Sequence, residues 1–134
     1  MYGVPLMILP LLAYNILEFL MGGVDWQAEA FAAQMASGAT FTLAWGDVFI
    51  LGTLVVLFIE VIKATYTGAG SIVDHILSTL VFIGCVVEFL IVDRAATATF
   101  FLMTAIAFVD VVAGFSITIR AARRDLTVGP ANGG

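Results

Sequence analysis

The stretch FVDVVAGF, residues 108–115, sets Asp110 inside a run from 99 to 119 that holds no other ionisable side chain. A carboxylate near the centre of a bilayer costs about 2.5–3.5 kcal/mol on insertion scales, so it is expected to face the protein interior and to have a task. Counting back from Arg120 puts it roughly 15 Å from that end of its helix. Ala107, Gly114 and Thr118 share its face at i−3, i+4 and i+8. Such a stripe of small side chains lets a second helix approach closely. Two chemistries fit: a protonated carboxyl hydrogen-bonded to a neighbouring helix, or a proton or cation site.

Three more acids sit about one turn inside the opposite boundary of the apolar runs: Glu18, Asp47 and Glu88. Glu18 shares its face with Tyr14 and Asn15, so that face is expected to point inward. If the three carboxylates converge, their repulsion must be relieved by a proton or by a hard cation with oxygen ligands. If they do not, each reaches headgroups and water at the interface. Glu60 and Lys63, at i,i+3, read as an ion pair at the other boundary. Asp74 pairs with Ser71 as a capping box. His75 is the only histidine and Cys85 the only cysteine. Haem held by two histidines would need a second chain, and a lone cysteine completes neither a disulfide nor a thiolate zinc site. Cys85 reads as a small buried hydrophobe. The sequence requires no cofactor, carries no HExxH, paired CxxC, GxSxG or phosphate-loop motif, and gives no indication that the chain is an enzyme.

The elements that must position these groups are apolar throughout. The chain has 134 residues, of which 62% are hydrophobic and only 11% charged. Its mean hydropathy is +1.12. A soluble domain carries roughly 25% charged residues, so this composition points to lipid. Five basic residues, mostly at one end, make no nucleic-acid footprint. Four runs, 4–21, 41–64, 72–92 and 96–119, are each long enough to cross about 30 Å of hydrocarbon. The expected fold is an all-α, multi-pass bundle of four transmembrane helices over 1–120, with a polar tail at 121–134 whose tip is disordered. Pro5 suits a helix start and Pro10 predicts a bend. No Lys or Arg precedes Lys63, so the first run reads as a retained helix rather than a signal peptide.

The connector 22–40 is long. Asp25 is placed to cap a short interfacial helix over 26–37, closed by Gly38, with Trp26, Phe31 and Met35 beside Asp25, Glu29 and Gln34; an ordinary structured loop is the other reading. Residues 65–70 and the pair Asp93–Arg94 read as tight turns. Lys63, Arg120, Arg123 and Arg124 fall on one side and Arg94 on the other, so both termini are expected in the cytoplasm, as in a bacterial-type inner or plasma membrane. Glu-Phe-Leu recurs at Glu18 and Glu88, and VIKAT matches TIRAA at Lys63 and Arg120. The matches suggest two helical hairpins repeated in parallel orientation.

Length and the four-run plan are similar to those of small multidrug transporters and fluoride channels, which act as dimers. The long connector at 22–40, the prolines and the position of Glu18 near a helix end depart from the multidrug pattern, and no functional residue carries over. The expected function is a small oligomeric transporter or channel handling protons or cations through Glu18, Asp47, Glu88 and Asp110. The alternative is a non-catalytic subunit of a larger membrane complex.

Overall fold

The computed structural model describes residues 5–67 and 72–133, with side chains described at all of these except 67, 118, 121, 122 and 124–133. The chain is mostly helical: α1 (Ile8–Asn15) runs into a π-helical turn (Ile16–Leu20), followed by strands β1 (Glu29–Gln34) and β2 (Thr40–Ala44). Helices α2 (Trp45–Thr67) and α3 (Ile72–Ile91) come next, then a 3₁₀ turn (Asp93–Ala95) and α4 (Ala98–Gly133). Three stretches, Trp45–Tyr66, Ile72–Ile91 and Ala98–Ile117, are long and apolar enough to cross a membrane. The first helix, Ile8–Leu20, is apolar but shorter. Large apolar side chains such as Leu51, Phe58, Leu80, Val87, Phe101 and Val109 stay exposed around the bundle. That surface suits lipid rather than water. Helix α4 is the central element, packed on both α2 and α3.

Pro10 does not bend a helix interior. Helix α1 begins at Ile8, so Pro10 lies in the first turn, where backbone N–H groups have no intrahelical acceptor to lose. At its other end the helix widens: Met21 N–H donates to Ile16 O at 3.0 Å. Gly22 and Gly23 then stop it at φ +88° and +100°. Gly23 N–H closes the end on Leu17 O at 2.9 Å, a left-handed cap that glycine takes without penalty.

The connector carries a β-hairpin where a helix over 26–37 was one expectation, so the fold is not purely α. β1 and β2 pair antiparallel from Glu29↔Ala44 to Gln34↔Thr40, with a bulge between Glu29 and Phe31. Met35 N–H bonds Ala39 O at 2.7 Å, and Gly38 turns the chain at φ +92°. The Thr40-Phe41-Thr42-Leu43 alternation supplies β-branched and aromatic residues, and that pairing overrides the helix propensity of the alanine-rich strand opposite. The hairpin takes the first residues of the expected second span, so α2 starts at Trp45 rather than 41. Asp47 reaches back to accept the Ala44 N–H at 3.0 Å, one half of a capping box.

The hairpin is fastened to the bundle through Trp26, whose carbonyl accepts the Gly46 N–H at 2.8 Å. Gly46 permits this approach: a Cβ there would collide with Thr99 Oγ1 and lie 3.0 Å from Trp26 O. At the opposite end, Ser71 and the expected capping box fall outside the described residues, as does most of the turn at 65–70. Helix α4 continues past its apolar span to Gly133, so the tail is helical up to that residue rather than a disordered tip.

Gly46→Ala should lower the stability of the purified protein by about 1–3 kcal/mol, the usual cost of overpacking. Gly52→Ala, on an open face of the same helix, should instead be neutral or stabilising by up to about 1 kcal/mol. Thermal unfolding in detergent separates the two.

Candidate functional site

The polar side chains inside the bundle gather at its two ends. The hairpin end is organised by Tyr14, which is fully buried. Its hydroxyl donates to Arg94 O at 2.7 Å and shares a hydrogen bond with Thr97 Oγ1 at 2.9 Å. Its ring stacks on Trp26 at 5.1 Å and meets Phe49 and Phe100 edge-on. Trp26 Nε1 donates to Glu18 Oε1 at 2.6 Å. Glu18 occupies the π-helical turn and is 7% exposed. Arg94 Nη1 takes the Glu18 carbonyl at 2.6 Å, while its guanidinium lies 5.5 Å from the Phe19 ring centre. Asn15 Nδ2 reaches across to Glu88 Oε1 at 3.1 Å. Glu88 Oε2 is buried without a hydrogen-bond partner.

Glu88 therefore contacts α1 through Asn15, while Glu18, on the turn that continues α1, faces Trp26. Asp47 does not join them: it is exposed and spent on the Ala44 cap. It lies instead on the rim of an open groove of about 430 Å³ between the hairpin, α2 and α4, which Trp26, Gln27, Ile50 and Thr99 also line. The two Glu-Phe-Leu segments differ locally, since Glu18 lies in a π-helical turn and Glu88 in regular α-helix.

The α2–α3 end holds a denser cluster. Lys63 Nζ lies 3.0 Å from Glu60 Oε1 and 3.0 Å from Asp74 Oδ2. The Glu60–Lys63 pair thus forms as its spacing predicts, and it is largely shielded within the protein: Glu60 is only 4% exposed. Its second oxygen, Oε2, accepts the Leu6 N–H at 2.6 Å. One carboxylate so ties the start of α1 to α2, and the lysine ties α2 to α3. Asp74, whose capping partner Ser71 lies outside the described residues, also belongs to this ion-paired group. Its Oδ1 is buried with no partner.

Asp110 is buried between helices, as its small-residue face required. Its carboxyl lies near the Ser78 side chain, with Glu60, Asp74 and Lys63 within electrostatic reach. Ser78 lies six residues into α3, about 9 Å by helical rise, so Asp110 sits nearer the α2–α3 end than the midpoint of the bundle. On the same face, Gly114 admits the His75 ring: a Cβ at 114 would lie 2.7 Å from His75 Nδ1. The imidazole packs edge-on to Phe115 at 4.0 Å, and its Nε2 is buried without a partner. The Thr118 side chain lies outside the described residues.

Between the two ends the buried side chains are apolar apart from Thr53 and the neighbouring pair Cys85 and Thr104; each threonine hydroxyl donates within its own helix, to Phe49 O and Phe100 O, both at 2.9 Å. Val81, Met103, Ile106 and Ala107 fill the layer between that pair and Ser78. Among the described residues, no group of three or more His, Cys, Asp and Glu side chains stands close enough to hold a metal ion. The buried positions of α3, Asp74, Ser78, Val81 and Cys85, follow i, i+4, i+7, i+11. That stripe was readable from sequence and would have recruited Asp74 and Ser78. Nothing in the local sequence signals that Trp26 bonds Glu18 or that Arg94 takes its carbonyl.

Comparisons with protein-family models, with curated proteins and with solved structures found no match.

Two substitutions probe the two ends. Tyr14→Phe strands the Arg94 carbonyl and should cost about 1–3 kcal/mol. Lys63→Met leaves buried carboxylates without their counter-charge and should cost about 3–5 kcal/mol. Adding Asp74→Asn to Lys63→Met should recover part of that loss, which a double-mutant cycle of thermal unfolding would register.

Proposed function

We propose that the chain is a small integral membrane protein that moves protons or cations, with the carboxylates of its α2–α3 end as the binding groups. The observation that carries this reading is a charge imbalance inside an apolar bundle. Glu60 and Asp74 flank a single ammonium, that of Lys63, and Asp110 lies buried within electrostatic reach of all three. An uncompensated carboxylate in a low-dielectric interior is strongly disfavoured. The cluster therefore favours taking up a proton or another cation, and its affinity depends on which carboxylates Lys63 engages. Glu88, with its unpartnered Oε2, stands near the far end of the same helix as Asp74 and supplies a second acceptor level.

In this reading all four apolar helices cross the membrane. The α2–α3 end, with Lys63 and Arg120, faces the cytoplasm, and the hairpin faces outward. The apolar layer of Val81, Met103, Ile106 and Ala107 leaves no continuous polar route through one copy. Transport then needs either a rearrangement of that layer or a path between subunits of a homo-oligomer.

A second reading, an accessory subunit of a larger membrane complex, draws on the hairpin. Phe31, Met35 and Phe41 are exposed there, outside the helices, where another protein would cover them. It predicts a companion band after gentle extraction from native membranes.

Purified protein in liposomes, with an internal pH dye and imposed proton, sodium or potassium gradients, tests the first reading. Asp110→Asn and Asp74→Asn should each reduce the flux at least about tenfold, the effect of roughly 1.4 kcal/mol on the rate-limiting barrier. Flux of every ion unchanged in both variants, with folding verified by gel filtration, would sink it.

A further inference from the structure

The position a metal ion would take between Glu60 and Asp74 is already filled. Lys63 Nζ stands 3.0 Å from an oxygen of each. The other Glu60 oxygen is committed to the Leu6 N–H. What remains open is Asp74 Oδ1, inaccessible and unpartnered on a residue only 8% exposed, and the Asp110 carboxyl, buried on the face of α4 whose Gly114 packs against His75 of α3. A hard metal cation such as calcium needs six to eight oxygen ligands. It would also have to sit beside an ammonium, where like charges repel strongly in a poorly screened interior. The two open carboxyls do not provide such a shell. A proton needs only one oxygen.

We infer that Lys63 is the resident cation of this cluster, so that the species the cluster exchanges is the proton, taken up at Asp74 and Asp110, and metal cations are refused. The inference rests on the cluster being the ion-handling site, and it narrows that site to one substrate class. The groups facing it are Glu60 and Lys63 from α2, Asp74 and the adjacent His75 from α3, and Asp110 from α4, with α1 contributing the Leu6 N–H. Uptake forms one O–H bond on a carboxylate oxygen with a proton delivered from water, and removes one negative charge. Release breaks that bond and returns the proton to water. Lys63 keeps its own charge throughout and holds α2 against α3 while the count changes.

Infrared difference spectra of the purified full chain, taken on stepping the pH, read the site without requiring transport. The carbonyl band of a protonated carboxylic acid should appear on acidification. It should be the same in sodium, potassium and choline chloride at equal ionic strength, and about half as intense in Asp74→Asn or Asp110→Asn. Absence of the band from the wild type, its suppression by sodium or potassium, or its persistence at full intensity in both variants overturns the inference. Thermal unfolding in the same salts gives a second readout. The wild type should melt at one temperature in all of them, whereas Lys63→Ala, with the cation position vacated, should melt higher in sodium or potassium than in choline. A cation-specific rise in the wild type overturns the inference even where Lys63→Ala does not fold. A protein that shows the band but carries no flux in liposomes keeps this site and loses the transport reading.

Discussion

Lys63, the only lysine in the sequence, makes the contact on which the arrangement of the helices depends. Apolar helices surrounded by lipid have no hydrophobic reason to choose one neighbour or one rotation over another. Polar groups supply the choice, because each must find a partner inside the bundle. Lys63 joins α2 to Asp74 of α3, Glu60 joins α2 to the chain just before α1, and Asp110 is buried on the face of α4 that packs against α3. A one-residue slip of α2 would rotate Glu60 and Lys63 by about 100° and strand two carboxylates, Glu60 and Asp74. The ties therefore fix the register of the whole set.

The other end uses a different device. There the ties run through aromatic rings and backbone carbonyls instead of ion pairs. The wide turn at Ile16–Leu20 brings Glu18 to Trp26 and its own carbonyl to Arg94. Tyr14 then seats its hydroxyl on the 3₁₀ turn that joins α3 to α4. Because the Trp26 carbonyl also accepts the Gly46 N–H, the residue whose side chain covers Glu18 is tied through its backbone to the start of α2. With polar contacts at both ends and a packed apolar layer between them, the interior divides into two acidic levels that do not communicate through polar groups alone.

The parts of this arrangement legible in the sequence are those governed by local period and cost. The long apolar runs gave three of the helices within a few residues, because hydrocarbon-length runs have few alternatives. The stripe Ala107, Asp110, Gly114 gave the inward face of α4. Glu60 and Lys63 gave their ion pair. The parts that were not legible have a common cause. Asp74 has a partner on another helix, Lys63, that no local pattern announces. The segment 26–37 sets Trp26, Phe31 and Met35 beside polar residues, which suits an interfacial helix as well as a loop, yet pairing with residues 40–44 made 29–34 a strand. Asp47 shares a depth with Glu18 and Glu88, but depth along a helix does not fix the direction in which a side chain points.

Sequence by itself determined that the chain is an apolar helical protein, which segments are long enough to cross a membrane, and that Asp110 must turn away from lipid. These follow from the free energy of placing each residue type in hydrocarbon, a sum over single residues that needs no knowledge of neighbours. Tertiary structure decided which acids share a site. It brought Glu60 and Asp74 to one lysine with Asp110 buried within electrostatic reach, paired Glu18 with an indole, and left Asp47 outside. The reason is that a carboxylate's partner is chosen by helix rotation and crossing, and these are set jointly by all four helices rather than by any one segment.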